Sequence, residues 1–141
     1  MARLFLSSFV RGTATRTNAA VLLDDHGKRF YVVTDLVDAC NAYYEFRSCD
    51  LPSTVLDDVK LAVEKLHEAE LVHGDIRRFN IMVVKSRGKC EEEWRGLLMD
   101  FDWVGPVGEA AYPPMLNIFE EIDWAEGVAP AGEIEKKHDL C

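Results

Sequence analysis

Residues 73–80 of this chain read His73-Gly74-Asp75-Ile76-Arg77-Arg78-Phe79-Asn80, and Asp100-Phe101-Asp102 follows further along. Each motif lies beside a short apolar run, Ile81-Met82-Val83-Val84 after the first and Leu97-Leu98-Met99 before the second. Apolar runs of this length are typical of buried strands. The pattern therefore predicts carboxylate and amide side chains held at the ends of two strands, where their oxygen atoms can meet.

Three of these side chains point to a specific chemistry. Phosphoryl transfer needs a carboxylate that orients the attacking hydroxyl, and oxygen ligands that hold Mg²⁺ on the phosphates. Asp75 suits the first task, and Asn80 and Asp100 suit the second. Each residue alone also fits a structural role, as a turn former or a strand-end Asp. The complete set favours a site, and without a nucleotide the same residues would form a plain metal site.

The two motifs resemble the catalytic loop H-x-D-x-x-x-x-N and the later D-F-G of the protein-kinase-like superfamily. Gly74 after the His is closer to aminoglycoside phosphotransferases and atypical kinases. The longer run resembles a group of fungal kinase-like proteins, through Asp100-Phe101-Asp102-Trp103 and Gly108-Glu109-Ala110-Ala111-Tyr112-Pro113. The resemblance covers residues 30 to 140, and its strength lies in the two motifs occurring in this order.

The resemblance implies an ATP-dependent phosphotransferase that moves a γ-phosphoryl group to a hydroxyl of a protein Ser/Thr or a small molecule. Asp75 would be the catalytic base, and Arg77 a catalytic cation that neutralises charge on the transferred group. An exposed Arg on an acidic protein is the other explanation for Arg77. Asn80 and Asp100 would bind both cofactors, ATP and Mg²⁺. His73 is expected to brace the loop by hydrogen bonding rather than to titrate in catalysis.

The fold implied by the resemblance is a reduced α/β (α+β) kinase-like fold, mostly the large lobe with the last hairpin of the small lobe. Residues 1–18 form a poorly defined segment, and residues 19–141 a partial kinase-like domain. Asp35 and Leu36 lead into the hinge, where adenine would bind backbone groups. Since neither a Gly-rich phosphate loop nor a V-A-I-K-like strand is found, the domain is expected to be truncated, with weak ATP binding and slow turnover. The alternative is an inactive kinase-derived fragment or a pseudokinase binding module.

Local patterns predict the individual elements. Ala20–Leu23 and Phe30–Thr34 read as a β-hairpin around a turn at Asp24–Gly27, and residues 42–46 as a short helix. A second helix is predicted to open at Pro52 and Thr54, with Thr54 and Asp57 as a capping pair. Its buried stripe has helical spacing and consists of Val55, Val59, Ala62, Val63 and Leu66. The polar stretch from Lys85 to Gly96 is predicted to be a loop, and the proline-containing tail to be irregular.

Composition limits the partners. The 141 residues are 48% hydrophobic, enough for one modest core. Asp and Glu number 25 against 16 Lys and Arg, a net charge of -9, which argues against nucleic acid or an anionic membrane as partner because both need a basic face. The four cysteines form no C-x-x-C motif, so we expect reduced thiols in a cytoplasmic or nuclear protein.

Overall fold

Two α-helices and seven short strands make up the described part of the chain, in a mixed α+β arrangement whose strand pairs are all antiparallel. The computed structural model describes residues 19–23, 30–34, 37–87, 92–118 and 122–140. The prediction of a small α+β domain is confirmed. None of the helices in these ranges is long and apolar enough to span a membrane.

The predicted N-terminal hairpin is present. Strand β1 (Ala19–Leu23) pairs with β2 (Phe30–Thr34), and the register places Ala19 opposite Thr34 and Leu23 opposite Phe30. Strand β2 consists entirely of aromatic and β-branched residues, which favour strands, whereas β1 contains one such residue, Val21. The predicted turn at Asp24–Gly27 and the predicted hinge residues Asp35 and Leu36 lie outside the described residues.

A two-residue strand and a short helix follow. Strand β3 (Cys40–Asn41) pairs with a later strand, and helix α1 (Ala42–Glu45) begins directly after it. The side chain of Asn41 caps this helix, because its Oδ1 accepts a hydrogen bond of 2.9 Å from the backbone N–H of Tyr43. The predicted helix over residues 42–46 is thus confirmed.

Helix α2 (Ser53–Glu68) supplies one wall of the core. The residues of its predicted apolar stripe are buried or half-buried and pack with Ala42, Phe46, Ile81, Val83 and Leu98. Burial of this stripe, at about 25 cal/mol per Å² of apolar surface, holds the helix against the sheet.

The predicted capping pair of helix α2 is wrong. The helix begins one residue earlier than Thr54, after Pro52, and has no side-chain cap. Thr54 instead donates its hydroxyl to the backbone oxygen of Trp94 at 2.7 Å. A tertiary hydrogen bond to the neighbouring strand has therefore replaced the local one that the sequence pattern suggested.

The predicted loop from Lys85 to Gly96 is also wrong, because most of it belongs to a hairpin. Strand β5 (Ile81–Arg87) pairs with β6 (Glu92–Leu98), from Ile81 opposite Leu98 to Arg87 opposite Glu92. Strand β5 also pairs with β3, giving a three-stranded sheet in the order β3-β5-β6.

Tertiary partners explain why these polar residues form a strand. Arg95 donates from Nε to Oδ2 of the buried Asp58 on helix α2 at 2.8 Å, and the backbone N–H of Gly96 donates to the same oxygen at 2.9 Å. A side chain at Gly96 would meet the backbone oxygen of Val55 at 2.9 Å, so glycine lets the helix approach the strand closely. Arg95 of β6 is therefore satisfied by Asp58 of the helix and not by water.

A second, smaller core lies under the C-terminal part of the chain. Strand β4 (Leu71–Val72) pairs with β7 (Gly105–Pro106). The buried residues of this core are Val72, Ala110, Tyr112, Leu116 and Ile134. The chain then forms a 3₁₀ helix at Lys136–Leu140. The loop that follows β4 therefore lies between the two cores.

Candidate active site around Asp75

The loop of residues 73–80 connects β4 to β5 and is held by a carboxylate from the end of the chain. Asp139, whose side chain is fully buried, accepts hydrogen bonds from the backbone N–H of His73 at 2.9 Å and of Gly74 at 2.7 Å. Its Oδ2 also lies 3.0 Å from Nε2 of His67 on helix α2. Hydrogen bonds to a buried charge are short and strong. Asp139 thus fixes the start of the loop to the C-terminal 3₁₀ helix.

Gly74 is required by the shape of this loop. Its φ of +82° lies in the left-handed region that only glycine adopts without strain. A Cβ at this position would also lie 2.8 Å from Cδ1 of Ile134. The motif therefore needs Gly after His73 for two independent reasons, backbone conformation and space.

His73 is fully buried and acts as an internal brace. The backbone N–H of Asp75 donates to Nδ1 at 3.3 Å, and Nε2 lies 3.2 Å from the backbone oxygen of Met99. Because Nδ1 accepts, Nε2 carries the proton and donates to Met99, which is the neutral tautomer. These bonds join the loop of residues 73–80 to the segment before Asp100, and they agree with the predicted bracing role.

The neutral state of His73 predicts a pH dependence of stability. Burial lowers the pKa of His73 below its ordinary 6.5, and the nearby carboxylates of Asp139 and Asp75 oppose that shift without reversing it. His73 therefore binds a proton more tightly in the unfolded chain than in the folded one. The free energy of unfolding should fall as pH falls below about 6.5, by at most about 1.4 kcal/mol per pH unit.

Urea denaturation at about pH 7.5 and about pH 5.5 checks this dependence against the His73→Gln variant, in which the titrating group is gone. We expect the wild type to lose more stability between the two values than the variant does. Equal losses would show that His73 contributes no part of the acid sensitivity.

Asp75 is held from two sides. Its Oδ2 accepts hydrogen bonds from Nη2 of Arg77 at 2.9 Å and from Nδ2 of Asn80 at 2.7 Å. Its Oδ1 lies 2.8 Å from Nε of Arg77 in an ion pair, but this oxygen is shielded from solvent and accepts no aligned hydrogen bond from the described residues. Oδ2 thus accepts two hydrogen bonds, whereas Oδ1 accepts none within the described part of the chain and lies against Nε of Arg77.

The pKa of Asp75 reflects two opposing effects. Burial raises the pKa above its ordinary 3.8, while the charge of Arg77 and the hydrogen bond from Asn80 lower it. The net direction is upward. A carboxylate with a raised pKa is a stronger base than one with the ordinary pKa, because its pKa lies nearer to neutral pH.

Asn80 and Asp100 lie on neighbouring strand ends. The amide nitrogen of Asn80 donates to the backbone oxygen of Asp75 at 3.0 Å as well as to its carboxylate, so Oδ1 is the atom of Asn80 that could bind a metal. The backbone N–H of Met99, beside Asp100, donates to the backbone oxygen of Asn80 at 2.8 Å. Asp100 itself is exposed and has a φ of +61°.

The left-handed backbone of Asp100 does not by itself mark a site. Among the described residues, Glu70 and Ala131 outside the site share this conformation, and Asp adopts it more readily than most residues. Within the described part of the chain, no three His, Cys, Asp or Glu side chains cluster as a self-sufficient metal site. Mg²⁺ on a nucleotide takes only part of its shell from the protein, so an amide and a carboxylate oxygen fit that ion.

A small cleft of about 40 Å³ adjoins Asp75. Arg77, Tyr112 and Trp124 contribute to its lining, and the guanidinium carbon of Arg77 lies 5.6 Å from the centre of the Trp124 ring. Trp124 also stacks on Trp103, with ring centres 6.2 Å apart.

No known protein family and no curated protein matches this chain. The case for a function therefore depends on the geometry of the site.

The structure brings three predicted site residues into direct contact, namely Asp75, Arg77 and Asn80. Asp100 is not among these contacts, and its neighbour Met99 is the residue that is hydrogen-bonded to Asn80 through the backbone. Asp139 and Trp124 were not predicted as site residues, because both are distant in sequence. The only sequence signal for Asp139 was a charged residue within the closing stretch His138-Asp139-Leu140, which the resemblance included.

Proposed function

We propose that this protein transfers the γ-phosphoryl group of ATP to a hydroxyl group, with Mg²⁺ as cofactor. The observation that carries the proposal is the state of Asp75: a buried carboxylate with a raised pKa, oriented by Asn80 and Arg77, with one oxygen free of aligned hydrogen bonds. Both oxygens of Asp75 lie within 2.9 Å of nitrogen atoms of Arg77, so Oδ1 can accept a proton only when Arg77 turns away.

Arg77 would control access to that base. Its side chain is 36% exposed, whereas that of Asp75 is 6% exposed, so Arg77 is the partner that can move. Turning toward the phosphates, it would release Oδ1 of Asp75 and neutralise charge on the transferred group. The proton of the acceptor hydroxyl would then pass to Oδ1, which has lost the cation that lowered its pKa.

Asn80 and Asp100 would hold Mg²⁺ through Oδ1 and the carboxylate. Bound there, Mg²⁺ would neutralise phosphate charge, which an acidic protein of net charge -9 needs in order to bind a nucleotide. Asn80 also orients Asp75 through its amide nitrogen. Asn80 would therefore connect the proposed Mg²⁺ site to the proposed base, Asp75.

Thermal unfolding with and without millimolar Mg²⁺-ATP tests the nucleotide site. We expect a stabilisation of about 2.7 kcal/mol when free ligand is about 100 times Kd. Asp100→Asn should lose most of it because the metal loses a charged ligand. Asp102→Asn, which removes the same charge from an exposed turn residue nearby, should keep most of it.

The outcomes separate the alternatives. Cooperative unfolding of the wild type with no shift would exclude nucleotide binding and overturn the proposal. A shift that Asp100→Asn abolishes, combined with no phosphate transfer to any protein or small-molecule hydroxyl, would favour the pseudokinase binding module.

A further inference from the structure

Three exposed or half-buried aromatic side chains form a cluster beside the catalytic loop, which we call the aromatic platform: Tyr43, Tyr44 and Phe79. Tyr43 and Phe79 stack with ring centres 3.8 Å apart and planes 22° apart. Tyr44 stands edge-on to both rings, at 5.3 Å and 6.3 Å. Tyr44 is 66% exposed and Phe79 47% exposed. Contiguous aromatic surface kept in water is a feature of binding sites.

The platform is attached to the site. Phe79 directly precedes Asn80, and its backbone oxygen accepts a hydrogen bond of 2.7 Å from Nδ2 of Asn41. Arg78 donates to the backbone oxygen of Phe46 at 2.9 Å. These bonds fasten the segment that carries Tyr43 and Tyr44 to the loop that carries Asp75 and Asn80, so a ligand on the platform lies at the edge of the proposed active site.

The chain itself shows which chemical group the rings accept. The guanidinium carbon of Arg47 lies 5.8 Å from the centre of the Tyr43 ring and 5.9 Å from that of Tyr44. This is the distance range of cation–π attraction, which favours the planar guanidinium. The rings are thus arranged to bind a cation of this shape, and Arg47 shows the geometry.

The surrounding charge favours a cationic partner as well. Three exposed carboxylates, Asp38, Glu45 and Asp50, lie within residues 37–50. The basic residues at this face are Arg47 and Arg78, which donates to the backbone oxygens of Phe46 and Cys49. The whole chain carries a net charge of -9. A basic segment would be steered to this face, and an acidic one would be repelled.

We propose that the aromatic platform binds an arginine side chain of a basic peptide segment, in place of Arg47, and that this segment carries the hydroxyl acceptor. In naming the acceptor class, the inference rests on the proposed phosphotransferase activity. Binding of the arginine to the platform needs neither nucleotide nor Mg²⁺. The two proposals can therefore fail separately.

The test uses the full chain and a fluorescent peptide that contains two arginines and one serine, with binding followed by anisotropy in the absence of nucleotide. The matched probe carries citrulline, a neutral isostere, at both arginine positions. We expect the Kd of the citrulline peptide to be about two- to five-fold higher or more, since one exposed cation–π contact changes Kd by that factor. Tyr44→Ala should weaken the arginine peptide by a similar factor, whereas Met115→Ala, at a 93% exposed apolar residue elsewhere, should not.

Arg47→Gln should change the affinity for the arginine peptide in the opposite direction from Tyr44→Ala, which makes it the most decisive variant. Removing the internal competitor should tighten binding of the arginine peptide, and by more than Lys65→Gln, which removes one positive charge from the exposed face of helix α2.

Equal binding of arginine and citrulline peptides, or an Arg47→Gln effect no larger than that of Lys65→Gln, would overturn the inference. So would a polyamine that binds as tightly as the peptide, because the ligand would then be a small cation. If the wild type binds the arginine peptide in this way but transfers phosphate to no hydroxyl, the platform stands and the proposed activity falls.

Discussion

Replacing Asp75 with Asn is expected to reduce phosphoryl transfer by about 10²- to 10⁴-fold, the contribution of a positioned general base. Asn keeps the shape of the side chain and an oxygen that can accept from Arg77 or Asn80. It cannot accept the proton of the attacking hydroxyl. The rate constant for transfer is therefore the quantity that should fall, measured with saturating Mg²⁺-ATP and a serine-containing basic peptide.

Two comparisons make this result specific. Stabilisation of Asp75→Asn by Mg²⁺-ATP should remain, because the proposed metal ligands are Asn80 and Asp100 and not Asp75. The exposed Asp123 also lines the cleft beside Asp75, and Asp123→Asn should keep transfer close to the wild-type rate. Wild-type transfer in Asp75→Asn would contradict the role of Asp75 as base, even if nucleotide binding were established.

Replacing Asp139 with Ala is expected to destabilise the fold by about 3–5 kcal/mol, since it removes a fully buried carboxylate and leaves the backbone N–H groups of His73 and Gly74 without a partner. This is a large part of the roughly 5–15 kcal/mol that stabilises a typical domain. Urea denaturation measures the loss directly. Where Asp139→Ala is too unstable to purify, Asp139→Asn, which retains one acceptor oxygen, should show a smaller loss.

Glu126→Ala is the matched control, because Glu126 is an exposed carboxylate residue of the same C-terminal stretch. Its stability should stay within about 0.5 kcal/mol of the wild type. A similarly small effect for Asp139→Ala would mean that the loop of residues 73–80 holds its conformation without this carboxylate.

The residue types of the candidate site could be read from the sequence, but their arrangement could not. The spacing of Asp75 and Asn80 follows from the loop itself, since the amide of Asn80 reaches back to the carboxylate and backbone oxygen of Asp75. Trp124 and Asp139 enter the same site from segments far along the chain. No local pattern marks either one, because their partners are chosen by tertiary packing.

The errors in the fold prediction have the same origin. Lys85 to Gly96 was predicted to be a loop because its residues are polar, and polar residues usually face water. In the structure Asp58 accepts hydrogen bonds from Arg95 and Gly96, and Thr54 donates to Trp94. Helix α2 thus supplies hydrogen-bond partners to polar groups of strand β6. Hydrophobic periodicity alone cannot predict such partners, because they are distant in sequence.

By itself the sequence determined the local elements and the side-chain types of the candidate site: the hairpin of β1 and β2, the apolar stripe of helix α2, and the Asp, Asn and Asp oxygens near strand ends. These depend on periodicity and side-chain chemistry, which are properties of neighbouring residues. Only the tertiary structure decided that Arg77 covers Oδ1 of Asp75 and that Asp139 holds the loop. It also decided that the rings of Tyr43, Tyr44 and Phe79 meet beside the loop. Burial, hydrogen-bond direction and ring stacking are set by residues that become neighbours only when the chain folds.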